Sequence, residues 1–240
     1  MTSEPPIRGL RVAITGGTSG LGLALVSRYR ATGAAVALVA RTEANVAKVA
    51  AETGAHGIVG DIGRKTDIHR IALQITGNLG GLDVLINNAS SLGPVPLVLL
   101  ADIECEELET ALAVNLVGPF RLTRALLGAL ATSGREGRGA VVVNITSDAA
   151  VNAYETWGAY GASKAALAHM TAIWDAEMAG AGVRFLAIDP GDMDTPLHAA
   201  AIPDADPVTL KRPADSAAEI VSAVTDVLRQ ATPRPVAGAA

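Results

Sequence analysis

Cysteine is nearly missing from this sequence: Cys105 stands alone, so no intrachain disulfide can hold the fold. Positive charge is also in short supply, and a formal net charge of −5 disfavours a phosphate-backbone partner, so no nucleic-acid binding is expected. No apolar run approaches the roughly twenty residues that a membrane-spanning helix requires, and no membrane partner is expected either. The four histidines, His56, His69, His169 and His198, have no metal-ligand spacing, so the reading includes no metal site. The opening MTSEPPIRG has no apolar signal core behind it, which together with the lone cysteine gives a cytoplasmic expectation. Aromatic residues are only 3% of the chain.

What is abundant is aliphatic. At 240 residues and 50% hydrophobic, the chain can bury a sizeable core as a single domain over residues 1–240. Short apolar runs, RVAIT, VALVA, GIVG, LDVLIN, AVVVNIT and VRFLAI, alternate with longer Ala- and Leu-rich helical stretches. Runs of Val and Ile without polar alternation suit strands covered on both faces, so the fold class is α/β, a doubly wound parallel sheet of six to seven strands with helices on both faces. The pattern breaks at SSLGPVP, at SGREGRG and over residues 192–213, where Pro, Asp and Gly cluster without a period. That last stretch is long for a plain connector and reads as a substrate lid, and residues 231–240 read as a tail.

The first strand runs into Thr15–Gly22, TGGTSGLG, which opens an apolar-periodic helix. Glycines at 16, 20 and 22 allow a sharp turn and a close approach of backbone to phosphate, and the N–H groups of the following helix favour negative charge there; a ligand-free tight turn reads the same way. At the tip of the second strand stand Ala40 and Arg41, where an acidic residue would hold an adenosine ribose. A guanidinium suits a 2′-phosphate instead, favouring NADP(H) over NAD(H), although a surface arginine beginning the next helix fits the position equally. Asp61 either caps the helix in RKTDIHRIALQITG or meets an adenine amino group. Asn87 and Asn88 end the fourth strand at the edge where open α/β sheets bind ligands.

Later in the chain, WGAYGASKAAL spaces Tyr160 and Lys164 by four residues, so on a helix they share one face. Asn115 lies within a long helical pattern, four residues before Pro119. Proline has no N–H to give, so the spacing predicts a free Asn115 carbonyl and a kink.

These segments together resemble the short-chain dehydrogenase/reductase family over nearly the whole chain: the TGxxxGxG turn, NNA at Asn87–Ala89, the series Asn115, Ser147, Tyr160 and Lys164, and Pro190, Gly191 and Thr195 in DPGDMDT. The resemblance implies a Rossmann-like domain that transfers hydride between a nicotinamide, NADP(H) preferred and NAD(H) second, and a carbonyl or alcohol carbon of a small organic substrate. The cofactor surface it implies comprises Gly16, Thr18, Ser19, Gly20, Leu21, Gly22, Arg41, Asp61, Ile62, Asn88, Tyr160, Lys164, Pro190, Gly191, Met193 and Thr195. Tyr160 becomes the general acid/base, its phenolate stabilised by the Lys164 cation and an oxidised nicotinamide. Lys164 also bonds the nicotinamide ribose, Ser147 donates to the substrate oxygen, and the Asn115 carbonyl holds a water that links the lysine to solvent. Tyr154 and Trp157 fall where the family's substrate pocket opens, with Leu197, Met193, His198 and Ile202 as further candidates for its wall. Ser90 departs from the family's usual glycine after NNA and puts a side chain near the nicotinamide.

Two functions of different class follow: a reductase, or the reverse alcohol dehydrogenase, and a dinucleotide-binding sensor without turnover. The complete tetrad favours the enzyme. At the C-terminus, ATPRPVAGAA replaces the family's usual seventh strand and makes a poor strand itself. A homodimer is therefore expected through the helices of Asn115 and Tyr160, where Ala162, Ala165 and Ala166 permit close packing, and a tetramer is disfavoured.

Overall fold

The computed structural model describes residues 9–231. Six strands form one parallel sheet: β1 (Arg11–Thr15), β2 (Ala35–Ala40), β3 (His56–Val59), β4 (Val84–Asn87), β5 (Ala140–Ile145) and β6 (Val183–Ile188). Their spatial order is β3-β2-β1-β4-β5-β6. The order reverses direction between β1 and β4, which opens a crevice at the carboxyl ends of those two strands. The expected tail over residues 231–240, in place of a seventh strand, lies almost wholly outside the described residues.

Alternation along the strands sorts side chains onto two cores. Val12 and Ile14 point to one face, where α1 (Gly20–Ala31), α2 (Glu43–Thr53) and α8 (Pro213–Ala231) cover them with Leu25, Val46, Ile220 and Val224. Ala13 points to the other, under α3 (Ile68–Leu79) and α5 (Gly118–Arg135), which supply Ile71, Ile75, Leu122 and Leu126. Every residue of β5 is buried, as its unbroken AVVVNI requires.

Four local readings differ from the sequence expectation. The long helical pattern around Asn115 is divided into α4 (Cys105–Leu112), a π-helical turn over Ala113–Val117, and α5, with Pro119 in the first turn of α5. The expected kink is thus a π-bulge, a wider turn that absorbs the missing proline N–H. Asp61 does not cap the following helix: α3 begins only at Ile68, and the Asp61 carboxylate accepts from the Gly63 N–H at 2.9 Å. Asp67 reaches back instead, its Oδ2 accepting from the Asp61 N–H at 2.9 Å. Within residues 192–213, a short helix α7 (Pro196–Ala201) is started by Thr195, whose Oγ1 accepts from the His198 N–H, and Met193 bridges Lys211 to draw the two ends of the segment together.

At the opposite edge from the crevice an unforeseen ionic clamp holds β1 and β4. Asp83 is fully buried, and its Oδ1 accepts from Arg11 Nη2 at 2.7 Å and Arg138 Nε at 3.0 Å, while Oδ2 accepts from Arg138 Nη2 at 2.8 Å and the Arg11 N–H at 2.9 Å. Burial alone would raise its pKa, but the Arg138 and Arg11 hydrogen bonds prevail and hold it well below the usual carboxylate range. A depressed carboxylate stabilises the fold above its unfolded pKa, and the contribution disappears as pH falls through the acid range. Asp83→Asn should therefore cost about 3 kcal/mol of urea-measured stability at pH 7, the loss expected when one partner of a buried ion pair is removed, and the deficit should narrow toward pH 3.

Candidate active site

The glycine-rich turn is pinned across the crevice before any ligand is considered. Thr15 Oγ1 accepts from the N–H groups of Asn88 at 3.0 Å and Ala89 at 3.1 Å, and Asn88 Nδ2 donates to the Thr15 carbonyl at 2.9 Å. Gly16 takes φ +68°, and a Cβ there would lie 2.9 Å from Ala89 Cα. At Gly22 a Cβ would approach the Gly16 carbonyl oxygen to 2.0 Å, so only glycine lets the turn close. Helix α1 starts here with no acidic residue in its first turn and with Ser19 making no side-chain cap, which leaves its N-terminal N–H groups to favour an anion.

From this turn a cleft of about 1010 Å³ runs to the substrate end of the site. Every expected cofactor residue lines it: Gly16, Thr18, Ser19, Gly20, Leu21, Gly22, Arg41, Asp61, Ile62, Asn88, Tyr160, Lys164, Pro190, Gly191, Met193 and Thr195. So do Ser147, Tyr154, Trp157, Leu197, His198 and Ile202. Arg41 is exposed and has no hydrogen-bond or ion-pair partner among the described residues, with Thr42 and Asn45 beside it on the cleft wall. Of the asparagine pair, Asn88 faces the cleft, whereas Asn87 is buried and donates to Asn144 Oδ1 at 2.8 Å and Thr123 Oγ1 at 3.2 Å. The groups present suit a dinucleotide: a glycine cradle on a helix N-terminus at one end, a free guanidinium near it, and titratable side chains at the other end.

Tyr160 and Lys164 share one face of α6 (Gly158–Met178), with Lys164 Nζ 5.4 Å from the centroid of the phenol ring. Both are buried, Lys164 to 2% exposure, and its Nζ donates to the Ile145 carbonyl at the end of β5 at 2.8 Å. Burial pushes the Tyr160 phenol up to about 12, although hydrogen bonding with Ser147 draws it partly back while the charges of Asp189 and Asp148 add to the rise. Burial also pushes the Lys164 ammonium down to about 7. Desolvation thus favours the protonated phenol and the neutral amine.

The Asn115 side chain does more than its sequence position suggested. Its Oδ1 accepts from the Ser91 N–H at 2.7 Å and Ser90 Oγ at 3.2 Å, and its Nδ2 donates to the Ser91 carbonyl at 2.7 Å and Ser163 Oγ at 2.8 Å. Ser90, noted for replacing a glycine, thus has a partner of its own. Sequence reasoning missed Ser91, Ser163 and Asp148. Ser and Asp are ordinary turn and cap residues, so nothing marked the first two, and only adjacency to Ser147 could have singled out the third.

The short chain dehydrogenase family profile matches residues 11–206. The chain belongs to the short-chain dehydrogenase family. It is 35% identical over 118 residues to the 2-(R)-hydroxypropyl-CoM dehydrogenase of Xanthobacter autotrophicus, a match covering 49% of this chain and 46% of that protein. To the 3-oxoacyl-[acyl-carrier-protein] reductase of Thermotoga maritima it is 31% identical over 124 residues, or 52% and 48% of the two chains. The matched region thus spans about half the length of these curated relatives. Among solved structures it resembles the 3-ketoacyl-(acyl-carrier-protein) reductase of Brucella melitensis complexed with NADH, at TM-score 0.83, 29% identity and 90% coverage of both chains. A short-chain dehydrogenase from Shigella flexneri complexed with NADP gives TM-score 0.82 at 26% identity, covering 94% of this chain and 93% of that one. Family members therefore include complexes with either nicotinamide. Among the described residues no group of His, Cys, Asp or Glu could hold a metal, and no helix is long and apolar enough to cross a membrane.

The depressed Lys164 pKa has a measurable sign. Between about pH 7 and the ordinary lysine value the unfolded chain binds a proton that the fold has released, so stability of the cofactor-free protein should rise with pH there by roughly 1 kcal/mol per unit. Tyr160 acts only above about pH 10 and in the opposite direction. Lys164→Met should flatten the rise between pH 7 and 9 in urea titrations; parallel slopes in the two proteins would remove the assignment.

Proposed function

We propose that the protein is an NADPH-preferring oxidoreductase that reduces the carbonyl of a small organic substrate, or oxidises the corresponding alcohol, with Tyr160 as general acid/base. The observation that carries this reading is the junction of Tyr160, Lys164 and Ser147 in one cleft with the glycine-rich turn, because a proton donor beside a dinucleotide cradle is what carbonyl reduction needs. A sensor without turnover needs only the cradle.

NADPH, when bound, supplies the hydride for the carbonyl carbon. The protein's own part is the proton and the placement. Tyr160, kept protonated by burial, delivers the phenolic proton to the substrate oxygen. Lys164 lies close enough to its ring to stabilise the phenolate left behind. Ser147 Oγ becomes a second donor to that oxygen once it turns from Asp148, to which it donates at 3.1 Å. The Asn115 carbonyl, which Pro119 cannot serve with an N–H, is the proposed anchor of a water that returns a proton to Lys164. Arg41 is assigned to a 2′-phosphate, since it is free and no carboxylate stands at Ala40 to hold a ribose. Residues 192–213 are assigned as the lid: Thr195 Cγ2 lies 3.0 Å from where a Gly20 Cβ would stand, so the segment already meets the turn. A homodimer through the helical segments of Asn115 and Tyr160 belongs to the same reading, with Ala162 and Ala165 of α6 on an open groove of about 490 Å³. A cytoplasmic location is part of the proposal as well.

Two experiments test it. Fluorescence titration should give NADPH at least about tenfold tighter binding than NADH at low salt, with the advantage shrinking as salt screens the phosphate contact and vanishing in Arg41→Ala. Equal affinities would remove the NADPH assignment. With a carbonyl that the protein turns over, Tyr160→Phe should lower kcat by about a hundredfold or more while leaving NADPH affinity nearly unchanged, because only the proton donor is lost. Near-normal kcat in that variant would defeat the acid/base role.

A further inference from the structure

Asp148 occupies a place that neither the tetrad nor the cofactor surface explains. It follows Ser147 directly, and its carboxylate takes two side-chain hydrogen bonds, Oδ1 from Ser147 Oγ at 3.1 Å and Oδ2 from Tyr154 Oη at 2.6 Å. All three residues line the substrate end of the cleft. The Tyr154 hydrogen bond, aided by that of Ser147, holds the Asp148 carboxyl below the usual carboxylate range, so it is charged at neutral pH. Its charge reaches the reacting end, where it disfavours ionisation of Tyr160.

Among the described residues no cation forms an ion pair with Asp148, and none contributes to its shift. Lys164 gives its Nζ to the Ile145 carbonyl, and Arg41 follows the end of β2, beside the glycine-rich turn. The other ionisable side chains lining the substrate end are Asp189, which accepts from the Gly191 N–H, Asp192, and His198, whose Nε2 is 3.9 Å from Asp192 Oδ1. Ser147 has a single hydroxyl hydrogen, which the Asp148 carboxylate accepts at 3.1 Å and for which Tyr160 competes. The serine can serve a substrate oxygen only if another donor takes its place on the carboxylate or if that hydrogen bond is given up.

Building on the reductase reading, we propose that Asp148 sets the substrate class: carbonyl or alcohol compounds that carry a hydroxyl or an ammonium next to the reacting carbon are accepted, and those carrying a carboxylate, phosphate or sulfonate there are rejected. A neighbouring hydroxyl or ammonium replaces Ser147 as the donor to Asp148 and frees the serine for the reacting oxygen. An anion offers no hydrogen and meets a like charge a few ångströms away, which even with solvent screening is worth about tenfold in selectivity.

The test uses four methyl ketones that differ in one group: aminoacetone, hydroxyacetone, butanone and acetoacetate, each assayed with saturating NADPH. The wild-type protein should show kcat/KM for aminoacetone and hydroxyacetone at least about tenfold above that for acetoacetate, with butanone between. Asp148→Asn should compress the aminoacetone-to-acetoacetate ratio to about threefold or less, whereas Asp148→Glu should retain most of it. A merely structural role would lower all four together and leave the ratio alone. An unchanged ratio in Asp148→Asn, or a wild-type preference for acetoacetate, overturns the inference and leaves the reductase reading standing. Turnover of none of the four, with NADPH binding intact, overturns the inference, and the reductase reading falls with it only if a broad ketone panel also gives no alcohol.

Discussion

One buried amide holds together the end of the cleft where Tyr160 and Lys164 stand. The Asn115 side chain, 1% exposed, bonds the backbone of Ser91 on both sides and the hydroxyls of Ser90 and Ser163. It thereby joins the loop after β4, the π-helical turn and α6, three segments that are far apart in sequence. The π-bulge is what aims it: one extra residue in the turn rotates the side chain relative to a regular helix. Because α6 carries both Tyr160 and Lys164, the same amide sets where these two groups stand relative to the crevice between β1 and β4. On the other side of that crevice Thr15 and Asn88 perform the matching task for the glycine-rich turn. The two ends of the cleft are thus positioned by buried polar side chains whose donors are nearly all occupied, an arrangement that favours one geometry over neighbouring ones.

The electrostatics of the cleft follow from burial more than from pairing. Lys164 and Tyr160 lie within one helical turn of each other, yet each is pushed toward its neutral form, the amine down to about 7 and the phenol up to about 12. A buried amine costs folding stability, and a scaffold with a large aliphatic core on each face of its sheet can sustain that cost. In the proposed function the same desolvation is useful: a phenol kept protonated is ready to act as an acid, and charge forming nearby is little screened. The Asp83 clamp at the far edge works in the opposite sense, with a carboxylate held ionised by two guanidiniums, and it does not line the cleft. Both sites contain strongly shifted groups, and only the one in the cleft faces space that a ligand can enter.

Much of this could be read from the residues because it depends on local pattern. Apolar runs without polar alternation gave the parallel sheet, and the glycine spacing, the Tyr160–Lys164 interval and Ser147 after AVVVNIT gave the cleft. The errors arose where tertiary contacts override local chemistry. Asp61 has the look of a helix cap, but Asp67 supplies the link and the helix starts later. Pro119 signalled a broken hydrogen bond, while whether the break would become a kink or a π-bulge depended on Asn115 finding partners in a loop some twenty-four residues away. The short helix α7 is hidden by the Pro and Asp residues around it. Asp83 and Arg138 were invisible as a pair because nothing in the sequence shows that their turns meet. Spacing along a helix also does not encode depth of burial, which raises the Tyr160 phenol.

The central claim is that these residues assemble around a hydride transfer to carbon. The most direct measurement is mass spectrometry of the alcohol formed from a reactive ketone when the NADPH supplied carries deuterium at the transferable position of its nicotinamide C4. The account predicts one deuterium on the carbinol carbon of the product and, in the Tyr160→Phe protein, almost no product although the cofactor is still bound. Alcohol formed without deuterium, or no alcohol from any ketone in a broad panel despite tight NADPH binding, would contradict it.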